Sequence, residues 1–450
     1  MLNSPRRQQS WFSGLRLQWS ALTPAEHLVS ACIVLTPLWW LWGWSYLQLA
    51  LVVGIFGYEF YRTGQLRLSR PSPLVITMTA FSFYGMCTSY FYHQWNGLPL
   101  GPRELLGEID AWWAPASMVW FIQSKEIRVR LKVVAWAFSI LVAFMFLLWL
   151  GIHVVGQQGN YSPPRSLFGF LTGKSATFVE GAGNSNYLMP YRPDDSSIFG
   201  FARYSSFFHG PESFALVTVF ISLLALDLKH KLWSLSLLGS AIALLVLSGT
   251  RSAWLAFAAI FCLRYLVQIG KSGQLAGVCT VLAVGCFAIF CIPPVTDMVF
   301  DSVSTTANTT AELRADSTDT RGEIYRRTIE DIQTSSHGEF LFGHVVSGET
   351  VLPGYAPAQV GTHSFYLGSL LYRQGVIGTG LFAVVWGAWL QWLYATREER
   401  PTVVFWIMLT FNLTFCVMAF ESTVMPILLI SATLRQSALQ KIATIRSPVL

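Results

Sequence analysis

Apolar runs of helical length alternate with short polar breaks along most of the chain. Runs at roughly 24–42, 44–60, 73–92, 111–123, 133–152, 211–228, 232–249, 252–269, 275–292, 375–394, 402–420 and 422–435 predict about 12 transmembrane helices. Several are shorter than the ~20 residues that cross a bilayer core. Thr23-Pro24-Ala25-Glu26 predicts a capping box for the first span, with proline at the first helical position. Two long polar stretches interrupt the alternation, 153–210 and 293–365. The first is rich in Gly, Ser, Asn and Pro. The second opens on Ile292-Pro293-Pro294 and carries Thr320-Arg321-Gly322-Glu323, a second capping-box pattern. Ile324, Thr328, Ile329 and Ile332 follow at helical spacing and predict an amphipathic helix over 321–333, lying across the mouth of the bundle. The chain, 1–450, reads as one integral membrane domain: an all-α polytopic protein with two long loops on one face.

Composition agrees with that pattern. Of 450 residues, 53% are hydrophobic and 12% charged, where soluble domains carry about 25% charged residues. The seven cysteines lie in or beside apolar runs without zinc-ligand spacing, so they read as small buried hydrophobes. No cleavable leader is expected; Trp11, Phe12, Leu15 and Trp19 predict an interfacial helix before the first span. Charge then sets orientation. With the N-terminus inside, 19 of the 30 lysines and arginines fall on the inner side, and the short outer loops hold almost none. Both termini are expected inside, and both long loops outside. The net charge of +6 follows from the inner loops and implies no nucleic-acid partner. The inner loops are short, and the chain has no P-loop pattern and no Asp-x-Asp. Nucleotide hydrolysis or nucleotide-sugar binding on that side has nowhere to sit.

The outer face gathers the residues with chemistry. Ser248-Gly249-Thr250-Arg251-Ser252 is a tight turn that interrupts nearly forty apolar residues with one cation. A guanidinium there costs free energy unless an anion or the membrane edge receives it. Arg203 lies in Phe201-Ala202-Arg203-Tyr204-Ser205-Ser206 just before the sixth span; Arg321 opens the amphipathic helix, with Arg326 and Arg327 beyond it. His363 stands in Gly361-Thr362-His363-Ser364-Phe365-Tyr366-Leu367, followed by Arg373 and by Gly375-Val376-Ile377-Gly378. Several arginines at a membrane surface suit phosphate or diphosphate, because guanidinium offers forked donors and stays charged. A histidine beside them can move a proton near neutral pH. Tyr161, Tyr187, Tyr191, Tyr204, Tyr355 and Tyr366 are candidates for stacking on sugar rings, and Glu421, on the outer side, for pairing with an arginine. Each feature also has a plainer reading. Arginines at span ends snorkel to lipid headgroups, a loop histidine can simply hydrogen-bond, and Arg326 and Arg327 suit an acid-paired helix face. Asp194-Asp195 could hold a divalent cation, although such a pair in a Ser-rich loop is usually solvated.

Taken in order, these pieces resemble the O-antigen ligase and O-antigen polymerase superfamily. The resemblance runs from about Arg203 to Gly380 and is most specific at Ser248-Gly249-Thr250-Arg251 and from His363 to Gly378. It implies a GT-C-like membrane glycosyltransferase of the bacterial inner membrane, with its active site at the periplasmic face. The donor would be a glycan on undecaprenyl diphosphate. The acceptor would be another lipid-linked repeat unit for a polymerase, or lipid A-core for a ligase. Membrane lipids and other polysaccharide assembly proteins would be its surroundings. By resemblance, Arg203, Arg251 and Arg321 hold the diphosphate, and His363, with Arg251, is catalytic. Arg373, Glu421, Tyr204 and Tyr366 would support them. Ser364 departs from the family pattern, where many members carry Asn after the histidine, and this opens the question of hydrogen bonding beside His363. The long loops, about 58 and 73 residues, lean toward a polymerase.

The implied reaction is an inverting displacement in which an acceptor hydroxyl attacks the anomeric carbon and the lipid diphosphate leaves. His363 would act as general base or orient the acceptor. Arginines would neutralise the leaving group, so neither a metal nor another cofactor is expected. Two rivals compete. A lipid-linked oligosaccharide flippase fits the number of spans, but would line a central cavity with charge and show matched broken helices. A non-catalytic scaffold leaves the arginines and His363 without a shared task.

Overall fold

Thr23 opens the first helix as its sequence predicts. Its side chain accepts from Glu26 N at 3.2 Å, and the Glu26 carboxylate accepts from Thr23 N at 3.0 Å. Glu26 also receives Arg130 Nε at 2.7 Å and Nη2 at 2.8 Å. This staples the start of that helix to strand β1 (Val129–Arg130), which pairs in parallel with a two-residue strand at Leu434–Arg435. The computed structural model describes residues 19, 22–155, 162–178, 186–192, 202–271, 315–352 and 358–435.

Within those residues a helix occupies every stretch expected to span: α1 (Pro24–Val34), α2 (Thr36–Trp42), α3 (Leu47–Thr63), α4 (Pro73–Trp95), α6 (Ala114–Ser124, after a short α5 at Pro102–Glu108), α7 (Leu131–Val155), α9 (Pro211–Leu226, after a short α8 at Leu167–Leu171), α10 (Lys231–Ser248), α11 (Arg251–Lys271), α14 (Arg373–Ala395), α15 (Val403–Phe415) and α16 (Val424–Thr433). The stretch 275–292 lies outside the described residues, as do Asp194-Asp195, Tyr161 and Tyr355 and the start of the interfacial helix. Five helices are long and apolar enough to cross a membrane, and α1 with α2, bent by 58°, makes up to six. The helices α9, α15 and α16 are apolar but shorter. At 1.5 Å per residue they fall short of a hydrocarbon core of about 30 Å. The mostly helical architecture is that of an all-α membrane protein. Its outward residues agree: Val53, Phe83, Leu147, Leu235 and Leu255 expose most of their surface, as side chains facing lipid do.

The helix α9 is the axis. Every residue from Ser213 to Ala225 is buried, because the stretch is uncharged and mostly apolar on every face, its Thr218 and Ser222 hydroxyls donate to helix carbonyls, and it is enclosed by α7, α10, α11, α15 and α16. Asp227 at its end accepts from Arg264 Nη2 at 2.6 Å and from Val403 N at 2.7 Å, joining α9, α11 and α15 there. Its other end carries Glu212, the single charge in its sequence.

The amphipathic helix α12 runs Ala315–Thr334, beginning six residues before the expected start. Thr320 is therefore inside the helix rather than its cap. Glu323 faces along the helix to Arg326 Nη2 at 2.6 Å and Arg327 Nε at 2.7 Å, the acid-paired face expected of those two arginines. On the opposite side Ile324 and Thr328 are buried, and Thr328 Oγ1 accepts from Gly361 N at 2.9 Å. The span expected from 375 starts earlier, as a π-helical stretch at Phe365–Tyr372 leading into α14. Gly375 breaks its regularity at φ 66°, and a Cβ there would lie 2.4 Å from Leu341 O, at the end of the short helix α13 (His337–Phe342). Only glycine admits both that φ and that approach.

Candidate functional site

The site is built around Glu212. Strands β2 (Tyr191–Arg192) and β3 (Arg203–Tyr204) pair antiparallel with Arg192 opposite Arg203. Arg203, almost wholly buried, donates Nη2 to Glu212 Oε1 at 2.8 Å and to Thr250 Oγ1 at 3.0 Å, and Nε to Ser248 O at 3.1 Å. Thr250 Oγ1 in turn donates to Pro211 O at 3.1 Å. One guanidinium thus locks three elements: the β-hairpin, the start of α9 and the turn between α10 and α11. The turn itself needs Gly249 at φ 63°, the left-handed cap of α10. It delivers Arg251 as the first residue of α11. A cation at a helix N-terminus meets the positive end of the macrodipole, and Arg321 and Arg203 also lie within repulsive range of it. Arg192 and Arg203 act on Glu212, while Arg251 lies within range of Arg203 and Arg321; linked cations of this kind, more than one carboxylate neutralises, favour a multivalent anion.

His363 stands against this group. Its backbone is left-handed, φ 67°, a strained conformation worth on the order of 1–3 kcal/mol for a non-glycine residue. Neighbouring bonds enforce it: Gly361 N to Thr328, and Phe365 N to Met418 O at 2.8 Å. Its Nδ1 lies 2.8 Å from Thr362 Oγ1. Burial first, then the Arg321 and Arg192 charges, push the imidazole down to about 4, with Glu212 acting against them. The ring is therefore neutral at ordinary pH. Ser364 caps the π-helical stretch by accepting from Leu367 N at 3.2 Å, and it donates to Phe415 O at 3.4 Å. Capping is a task serine and asparagine share, which answers the question raised by this departure.

The supporting residues divide. Glu421, in the turn between α15 and α16, accepts from Ser213 Oγ at 2.6 Å. Burial and the Glu212 charge push its carboxyl up to about 7. The pairing with an arginine expected of Glu421 is not among the ion pairs of the described residues, where Arg203 pairs with Glu212. Arg373 points elsewhere, donating Nε to Val345 O at 3.3 Å and facing Glu108. Tyr204 is buried, donates to Met145 O at 2.6 Å and packs edge-on against Phe214, so it offers no face to a sugar. Burial holds its phenol well above the usual range. Tyr191 is buried beside it, Tyr187 donates to Ser175 O, and Tyr366 donates to Asn412 Oδ1 at 2.8 Å. Tyr191 and Tyr204 are thus wall residues, while Tyr187 and Tyr366 keep part of their surface exposed.

Two residues of this group were not among the sequence's site candidates, Arg192 and Glu212. Arg192 Nε is buried, with no hydrogen-bond partner among the described residues. Glu212 carried a usable signal: a carboxylate in the first turn of an otherwise uncharged, mostly apolar run.

No curated protein matches the chain. Residues 235–383 match a family model described as O-Antigen ligase, and this stretch carries Arg251, Arg321 and His363. The match covers about a third of the chain, and it supports, for this helical membrane protein, the O-antigen ligase and polymerase superfamily of glycosyl-transferring enzymes.

Proposed function

We propose that the protein transfers a glycan from undecaprenyl diphosphate to an acceptor sugar hydroxyl, at the periplasmic face of the bacterial inner membrane. The observation that carries this reading is the linked group of Arg203, Arg251 and Arg321 at the Ser248–Arg251 turn, with Arg192 paired to Arg203 across the short strands and His363 within range of Arg321 and Arg192. The acceptor oxygen attacks the anomeric carbon, the bond from that carbon to the diphosphate oxygen breaks, and the configuration inverts. Negative charge grows on the leaving diphosphate. Arg251 and Arg321 meet it with forked donors, while Arg192 and Arg203 add their field from the wall. Such preorganised charge is usually the largest catalytic contribution. Cations fixed by the protein do there what a metal ion would otherwise do, so no metal is needed. His363 as a neutral imidazole hydrogen-bonds the acceptor.

Polymerisation of lipid-linked repeat units is the preferred reaction, on the matched length of the two outer loops. Ligation to lipid A-core is the second reading, carried by the description of the matched family. The two separate in an assay of purified protein given lipid-linked repeat units alone. A polymerase produces a ladder of longer glycans, unchanged by EDTA. A ligase produces nothing until lipid A-core is added. Activity wholly lost to EDTA contradicts the metal-independent chemistry.

A further inference from the structure

Beside the arginine group lies a second carboxylate, Glu421. Glu212 is held by Arg203 at 2.8 Å. Glu421, one residue over through Ser213, makes no ion pair among the described residues. Its Oε2 is occupied by Ser213 Oγ, and Thr423 Oγ1 donates to Ser213 O at 3.3 Å, so the turn carrying it is clamped to the start of α9. The same turn holds the segment of His363. Phe365 N donates to Met418 O, Ser364 Oγ to Phe415 O, and the Phe365 and Phe420 rings sit 4.9 Å apart. Two short connections, 362–365 and 416–423, thus bring His363 and Glu421 to the end of the bundle where Glu212 stands.

We propose that Glu421 is the proton acceptor of the transfer reaction and that His363 is a positioning residue. The proposal rests on the glycosyl-transfer reading. The acceptor hydroxyl gives its proton to Glu421 Oε1, the oxygen that Ser213 leaves open. The hydroxyl oxygen forms its bond to the anomeric carbon, and the electron pair of the breaking bond leaves with the diphosphate. Glu421 then returns its proton to solvent or to the departing diphosphate, so the carboxylate is restored.

The surroundings explain the division of labour. His363 faces Arg321 and Arg192, whose charges oppose a proton on the ring. A base that weak accepts protons poorly. Glu421 faces Glu212 and Ser213 from α9, Arg192 from β2, and the neighbouring Thr423; Ser422 next to it contacts His209 Nδ1 at 3.1 Å. Burial and the Glu212 charge outweigh Arg192, and the carboxyl titrates near 7. Two titratable groups pushed in opposite directions by their settings are the mark of divided acid–base roles.

The test is the pH profile of kcat/KM for transfer by the purified full chain, for wild type, Glu421→Gln and His363→Asn. The wild-type rate rises with pH through about 7, where Glu421 becomes a carboxylate. Glu421→Gln keeps the Ser213 bond, loses about 10²–10⁴ in rate and loses the rise. His363→Asn raises KM and keeps the rise. A wild-type rate in Glu421→Gln, or loss of the rise in His363→Asn alone, overturns the proposal. A second measurement does not depend on turnover. Infrared spectra of the wild type show a carboxylic-acid carbonyl band that disappears as pH passes 7, and Glu421→Gln lacks it. An active wild type without that band refutes the proton-acceptor role alone. An inactive wild type that keeps the band refutes the transfer reading, and the role with it.

Discussion

Arg203→Ala abolishes transfer and destabilises the protein by about 3–5 kcal/mol, the cost of leaving one partner of a buried pair uncompensated. Arg203 is nearly without exposed surface, and its guanidinium bridges Glu212, Ser248 O and Thr250 Oγ1. Removing it strands the Glu212 carboxylate at the head of the most deeply buried helix and frees the turn that presents Arg251. Much of the cost is the stranded charge rather than the lost bonds. Arg203→Met combined with Glu212→Gln therefore recovers most of the stability while transfer stays lost. Thermal unfolding of the purified variants beside their turnover checks both halves. An Arg203→Ala protein as stable as wild type would contradict the role of Arg203 as the lock of the site.

Arg251→Lys lowers kcat/KM by about 10²–10³, equivalent to about 3–4 kcal/mol of transition-state stabilisation. Lysine keeps the charge and the helix but loses the planar fork that engages two diphosphate oxygens. Stability changes little, because Arg251 is only half-buried. The expected loss appears in kcat and kcat/KM together, since charge on the leaving diphosphate grows only as the bond breaks. Near-normal kcat in Arg251→Lys would mean that a point charge suffices and that forked recognition plays no part.

Much of this arrangement was legible in the sequence because it depends on local rules. Thr23 and Glu26 form their capping box, Gly249 takes the left-handed cap that makes the Ser248–Arg251 turn, and helices fall where the apolar runs lie. What stayed hidden depends on partners distant in the chain. Arg192 meets Arg203 only through a hairpin of two-residue strands, too short for any alternation to reveal. Tyr204 has the composition of a sugar platform, yet its hydroxyl is used by Met145, 59 residues away. Thr320 and Glu323 have the spacing of a cap, but α12 begins at Ala315 and Glu323 is drawn to Arg326 and Arg327 instead. Glu421 was visible as a carboxylate between the last two apolar runs. Its environment was not, because Ser213, whose hydroxyl it accepts from, lies 208 residues earlier in the chain, with Glu212 beside it.

The central claim is that the arginine group receives a lipid diphosphate as it leaves a sugar. The measurement that tests it most directly follows both products when purified protein in liposomes is given a polyprenyl-diphosphate-linked glycan carrying one label on the sugar and another on the lipid. The account predicts equal release of free polyprenyl diphosphate and of glycan joined to acceptor. Intact donor found on the opposite side of the bilayer, with neither product formed, would contradict it and identify a flippase.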